Sequence, residues 1–169
     1  KPLPELRDNA IGRSIKQDRQ GAVATAFTNP VTLMMGTNGD EWRSALIPAA
    51  NGHFSARDLA TIYGDLSADT PSLLPATVLA DATTEQSRAQ DRILQADVAF
   101  GCGFILSGNA EDLHFGSAAG FGHPGAGGSI GFADPAAGIG FGYATSRMGQ
   151  SLFMDQRAVG LVNCLCRLL

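Results

Sequence analysis

A chain of 169 residues with 44% apolar and 17% charged side chains can pack one ordinary domain, and its composition excludes a disordered segment. A net charge of -4 without blocks of like charge excludes a basic stripe for nucleic acid and a polybasic membrane patch. No apolar run reaches the length of a membrane-crossing helix, and the charged start from Lys1 to Arg7 does not read as a signal peptide.

Residues 1–52 show no clear periodicity. They carry turn signals at Asn29-Pro30, Thr37-Asn38-Gly39-Asp40 and Ile47-Pro48, with Trp42 among them. A helix is expected to begin at Ser55, a good N-cap. Asp58 stands three residues later and forms a variant of the capping box. Leu59, Ile62, Tyr63 and Leu66 then make an apolar stripe at helical spacing. A second helix starts at Pro75 and runs through Val78, Leu79 and Ala82. The stretch 85–97 is polar and reads as an exposed connection.

From residue 98 the period changes to two. Val98, Phe100, Cys102, Phe104 and Leu106 alternate with smaller residues, which predicts a strand over 98–107. The alternation sets large against small, so both faces should be covered, with something packed very close on the glycine side. Residues 128–133 and 139–146 repeat the device around Asp134-Pro135-Ala136-Ala137-Gly138. Pro135 suits the first central position of a type I turn, and Gly138 can close the loop at positive φ. Folding there places Phe132 opposite Ile139 and Ile130 opposite Phe141. A last helix, from about Asp155 to Leu169, carries Ala158, Leu161, Val162 and Leu165 on one face and is the candidate to cover the sheet. Cys102, Cys164 and Cys166 have no zinc spacing around them. They read as reduced core thiols, which points to a reducing, cytoplasmic compartment.

The segment His123-Pro124-Gly125-Ala126-Gly127-Gly128-Ser129 is the richest in chemistry. On composition alone it is a glycine-rich bend with a surface histidine. Several motifs fail here. Gly127-Gly128-Ser129-Ile130-Gly131 has the letters of a nucleophile elbow, yet Ser129 falls in a predicted strand, and His53, His114 and His123 all precede it. Ile130 takes the last glycine position of a dinucleotide fingerprint, and with only Lys1 and Lys16 there is no P-loop. His114 and His123 with Glu111 and Asp112 match no metal-ligand pattern, so neither metal nor cofactor is expected.

The stretch Phe121 to Pro135, followed by Gly138-Ile139-Gly140-Phe141-Gly142-Tyr143, resembles the third motif region of the class C β-lactamase-related serine hydrolases, including esterases of the same fold. Those enzymes use S-x-x-K for the nucleophile, Tyr-x-Asn, and K-T-G on a sheet strand, often replaced by H-x-G in the esterase branch. His123-Pro124-Gly125 fits that variant. Ile47-Pro48-Ala49-Ala50-Asn51-Gly52-His53, leading into Ala56-Arg57, Leu59-Ala60 and Tyr63, is similar to the same group.

The resemblance implies an α+β fold of the β-lactamase/transpeptidase type, an antiparallel sheet flanked by helices. Residues 1–97 would belong to its helical region, and 98–169 would supply the last three strands and the terminal helix. It implies ester or amide hydrolysis through an acyl-enzyme. His123 would sit beside the nucleophile, and Pro124, Gly125 and Gly127 would line the substrate site. The Ala126 N–H would be one oxyanion donor. S-x-x-K and Tyr-x-Asn are both absent from the 169 residues, because no serine lies three before Lys1 or Lys16 and Tyr63 and Tyr143 precede Asp65 and Thr145 by two. The chain therefore reads as a C-terminal portion whose partners are a small ester or amide and the N-terminal half of the same fold, with no nucleic acid and no membrane. The alternative is a binding or scaffold protein of that fold without catalysis.

Overall fold

A computed structural model describes residues 10–29, 36–108, 110, 113–149 and 151–169. The charged start Lys1–Arg7, Pro30 of the Asn29-Pro30 signal, and Glu111 and Asp112 lie outside these. The chain forms two compact units, residues 1–53 with 91–96, and residues 54–90 with 97–169. No helix among the described residues is long and apolar enough to cross a membrane.

The first unit contains α1 (Ala10–Gln17), α2 (Ala22–Thr28) and the short α3 (Asp40–Ser44). Ile11 of α1 and Ala24 of α2 are buried. The loop after α3 is tied by Asn51. Its Oδ1 accepts from the Ile47 N–H at 3.1 Å, and its Nδ2 donates to the carbonyls of Trp42 and Ala45 at 2.8 and 2.6 Å.

The second unit holds α4 (Ala56–Leu66), α5 (Ala76–Thr83), a sheet, and α6 (Gln156–Cys166). Helix α4 starts where its sequence predicts. The Ser55 hydroxyl accepts from the Asp58 N–H at 3.2 Å, and the Asp58 carboxylate accepts from the Ser55 N–H at 2.8 Å, a reciprocal capping box. Pro75 stands at the N-cap of α5, one position before the first helical residue.

Among the described residues the sheet has six strands in sequence order, all antiparallel: β1 (Ser87–Gln90), β2 (Asp97–Phe100), β3 (Ile105–Leu106), β4 (Phe121–Gly125), β5 (Ser129–Asp134) and β6 (Ile139–Tyr143). This corrects the three strands expected after residue 98, since five of the six lie from Asp97 onward. The polar stretch 85–97 contains β1. Its four residues are exposed, so no burial pattern marks it, and it exists through its ladder to β2. The strand expected over 98–107 is two strands folded back on each other, with Phe100 opposite Ile105. The large-small alternation runs straight through the bend. Gly103 supplies its positive φ of 88°, and the Gly101 N–H donates to the Phe104 carbonyl at 3.0 Å.

The β5–β6 hairpin forms, but its register differs by two residues from the expected one. Phe132 pairs with Phe141, Ile130 with Tyr143, and Asp134 with Ile139. Asp134 belongs to the strand because its carboxylate is satisfied there, accepting from the Ser117 N–H and hydroxyl at 2.7 and 2.6 Å and the Ala136 N–H at 3.2 Å. The turn is then Pro135 to Gly138, with Gly138 at φ 66°. A shift of two leaves every side chain on its intended face.

On one face, Phe132 stacks between Phe115 and Phe141 at centroid distances of 6.0 and 5.0 Å. Helix α6 belongs to this side. Its Ala158, Val159 and Val162 are buried, and its Cys166 feels the charge of Asp134. The other face carries Gly131, Ala133, Gly140 and Gly142, and here α4 lies almost on the sheet backbone. A Cβ on Gly140 would fall inside the Gly64 backbone, one on Gly142 inside that of Ala56, and one on Gly131 inside the Tyr63 ring. The close neighbour expected on a glycine side is thus α4, with Leu66, Phe121 and Ala133 buried at its end of the sheet. Tyr63 is buried enough that its hydroxyl pKa is pushed up to about 12. The cysteines correct another expectation. They are free, but Cys102 and Cys164 are exposed and Cys166 is half-buried, because Cys102 sits in the β2–β3 bend and Cys164 on the outer side of α6. Burial, helped by Asp134, raises the Cys166 thiol pKa.

Two predictions follow from this packing. Gly140→Ala should destabilise the protein by roughly 1–3 kcal/mol or more through overpacking. Gly64→Ala, whose Cβ would meet nothing within 4 Å, should stabilise α4 by about 0.5–1 kcal/mol. Equal thermal midpoints for the two variants would contradict the close approach.

A further prediction concerns acid. Hydrogen bonds from Ser55 hold the Asp58 carboxyl below its ordinary pKa, and those from Ser72 and Leu73 do the same for Asp65. A carboxyl depressed in the folded state stabilises it above the unfolded value near ~3.9, and that contribution is lost as pH falls through the folded value. The midpoint should therefore hold from about pH 7 to about pH 5 and fall below about pH 4. The fall should be shallower in Asp65→Asn.

Candidate functional site

Strand β4 carries the segment singled out from sequence. It pairs along its full length with β5, from Phe121 opposite Ala133 to Gly125 opposite Ser129. Strand β3 pairs only with Phe121 and Gly122. His123, Pro124 and Gly125 therefore have no ladder partner on that side among the described residues, and a backbone edge is left open.

Alternation along β4 separates the motif's side chains. His123 pairs with Gly131 and shares its face, the one that α4 covers, yet its own side chain is exposed. Its Nδ1 lies 2.8 Å from the Pro124 carbonyl oxygen. A carbonyl can only accept, so Nδ1 carries the proton. In the neutral ring Nε2 is then an acceptor. Pro124 pairs with Ile130 and is buried on the opposite face, which removes its ring from any ligand beside His123.

Gly125 stands apart from its neighbours. A Cβ there would meet only Ser129 atoms, at 3.6 Å or more, which is ordinary contact. Among the described residues nothing requires this residue to be glycine.

The turn after Gly125 is Ala126-Gly127-Gly128, with φ of 95° and 102° at the two glycines. The Gly128 N–H donates to the Gly125 carbonyl at 3.1 Å. That carbonyl belongs to the peptide whose N–H is on Ala126. In a planar trans peptide the two point in opposite directions, so the Ala126 N–H is aimed out of the turn. Among the described residues it donates to no acceptor, and Ala126 is exposed.

Gly127 is the reverse. It is buried, its N–H donates to the Ser151 carbonyl at 2.8 Å, and its carbonyl accepts from the Gly149 N–H at 2.7 Å. Both backbone polar groups of Gly127 are used internally. It shapes the turn.

Two residues that the sequence reading did not single out for this site hold the turn from outside. Arg157 Nη2 donates to the Gly127 carbonyl at 3.2 Å, and Asp155 occupies the space where a Gly128 side chain would point. The Arg157 hydrogen bond, more than any other influence, keeps the Asp155 carboxyl below its ordinary pKa. In the sequence Asp155 shows only as the start of the last helix, and its cap is present: it accepts from the N–H groups of Arg157 and Ala158.

Ser129 lies on β5, which continues as strand to Asp134 without the helix that a nucleophile elbow requires. His53 precedes α4 and is exposed, and His114 is half-buried. Among the described residues no three His, Cys, Asp or Glu side chains gather as a metal would need.

The sequence profile of the Beta-lactamase family matches residues 1–163. The crystal structure of a family VIII carboxylesterase is similar with a TM-score of 0.75 and 35% identity, covering 86% of this chain and 40% of its own. A novel penicillin-binding protein homologue from Caulobacter crescentus has a TM-score of 0.70 and 35% identity, over 76% and 36% of the two chains. EstA from Arthrobacter nitroguajacolicus Rue61a has 0.75 and 29%, over 89% and 41%. No curated protein matches. The chain spans about two fifths of the length of these solved relatives. A profile match across nearly all its residues, and an antiparallel sheet between helices shared with solved relatives, make this chain a member of the Beta-lactamase family.

Proposed function

We propose that this chain is the C-terminal portion of a serine hydrolase of carboxylesterase type, which cleaves small esters or amides through an acyl-enzyme. The observation that carries the reading is the free Ala126 N–H, aimed outward at the end of an open-edged strand that also bears His123. The attacking serine and its base would come from residues outside these 169, where the N-terminal portion of the fold would complete the site. The family VIII carboxylesterase among the relatives supports esters as the substrate class.

In such a reaction the serine oxygen attacks the acyl carbonyl, and negative charge collects on the carbonyl oxygen. The Ala126 N–H donates to that oxygen, a contribution worth roughly 3 kcal/mol in the transition state. Collapse expels the alcohol, and water releases the acid in a second step. Gly125 leaves room for the acyl group to approach the strand. His123, its Nδ1 proton committed to the Pro124 carbonyl, offers Nε2 as an acceptor beside the nucleophile.

The protein containing both portions should lose on the order of 10²-fold in turnover of a short-chain p-nitrophenyl ester on His123→Ala, the scale of one acid-base or oxyanion contribution. His53→Ala should lose far less. Gly125→Ala should keep the parent thermal midpoint while lowering turnover, because the added methyl would make only ordinary contact with Ser129, from 3.6 Å, and would project toward substrate. Equal activity in the two histidine variants would remove the chemical content of the assignment.

A fluorophosphonate probe should leave the 169-residue chain by itself unlabelled. Stoichiometric labelling at Ser129 would overturn both the missing nucleophile and the rejection of the elbow.

A further inference from the structure

The guanidinium of Arg157 has five N–H donors, and all five are used. Nε donates to Asp155 Oδ2 at 3.0 Å. Nη1 donates to Thr145 Oγ1 at 3.0 Å and to the Arg147 carbonyl at 2.9 Å. Nη2 donates to Asp155 Oδ2 at 2.5 Å and to the Gly127 carbonyl at 3.2 Å. One planar group thus joins the β4–β5 turn, the chain leaving β6, and the start of α6.

Asp155 divides its oxygens between two tasks. Oδ1 caps α6, accepting from the Arg157 and Ala158 N–H groups at 2.9 and 3.3 Å. Oδ2 receives the guanidinium. The carboxylate also lies directly over the Cα of Gly128, and the Met148 side chain lies over Gly127, 2.9 Å from where a Cβ would be.

The side chain of Arg157 is 42% exposed, so as an isolated surface ion pair it would add little stability. Its geometry does something else. The Gly127 carbonyl is held by Arg157, and Gly128 is held against Asp155. Gly128 donates to the Gly125 carbonyl, and the orientation of that peptide decides where the Ala126 N–H points.

We propose that Arg157, held by Asp155, is a positioning residue that aims the Ala126 N–H at the developing oxyanion. The catalytic part of this rests on the function proposed above; the clamp itself does not. Lysine cannot replace the fork, because an ammonium on a flexible stem cannot reach four acceptors in one plane.

The test is amide hydrogen exchange on the intact protein, parent against Arg157→Lys and Arg157→Ala, with ester turnover measured on the same samples. Exchange at the Gly127 and Gly128 amides should rise on the order of tenfold in both variants, while Phe132 in the neighbouring strand stays protected. Turnover should fall on the order of tenfold with KM nearly unchanged, a fraction of the 10²–10³ that outright loss of a donor costs. Lysine should do no better than alanine. If Arg157→Ala does not fold, Asp155→Asn carries the same expectation. Unchanged exchange in Arg157→Lys overturns the clamp, and raised exchange with intact turnover overturns the positioning role. A parent protein without esterase activity sinks the proposed function instead, and the exchange result still decides the clamp.

Discussion

The close seat of α4 on the bare face of β5 and β6 is the constraint on which the second unit depends. Gly140 and Gly142 leave no side chain between helix and strand, so the backbone of Gly64 and Ala56 comes down where side chains would ordinarily stand. That contact fixes the height of the helix above the sheet. Tyr63 then lies across Gly131, and its ring meets Phe104 edge-on at 6.5 Å. Since β4 is laddered to β5 residue by residue, the same contact also sets the strand that carries His123.

The candidate site is made mostly of backbone. Its one outward donor is a peptide N–H, its tautomer is set by a peptide carbonyl, and its turn is closed by two glycines at positive φ. Such a site has little side-chain freedom to lose when a ligand arrives, and its precision must come from whatever pins the peptide planes. Here that is the charged pair Asp155 and Arg157 at the start of α6, outside the motif stretch 121–143. The glycines sort themselves by what surrounds them. Gly127 and Gly128 are required by the turn, while nothing among the described residues requires Gly125.

Where structure is decided by neighbours in sequence, the sequence is legible. Ser55 and Asp58 are three apart and form their capping box, and Pro135 and Gly138 close the hairpin. Where it is decided by distant backbone, it is not. The alternation from Val98 to Leu106 conceals the bend at Gly103, because a large-small pattern does not record where the chain reverses. Exposed β1 has no pattern to read. The His123-Pro124-Gly125 segment stands out only through the resemblance, since its composition reads as a glycine-rich bend, and the structure places it on β4. The burial of Pro124 and the internal use of Gly127 depend on which face each residue meets. Beyond Asp155, two residues before it, the acceptors of Arg157 at Thr145, Arg147 and Gly127 lie 10 to 30 residues away, so its clamp on the turn has no local signal.

The order of the strands has a consequence for how the unit assembles. Each strand pairs with its sequence neighbour, so the sheet can zip from one hairpin to the next, with short loops at every step except between β3 and β4, where residues 107–120 intervene. The seat of α4 is different: Gly64 meets Gly140 across about 75 residues of intervening chain, a long closure that adds entropy cost before it returns any contact. Helix capture therefore belongs late in folding, after β6 has joined. By the same reasoning, mutations at Gly140 should act mainly by speeding unfolding, leaving the rate of folding almost untouched.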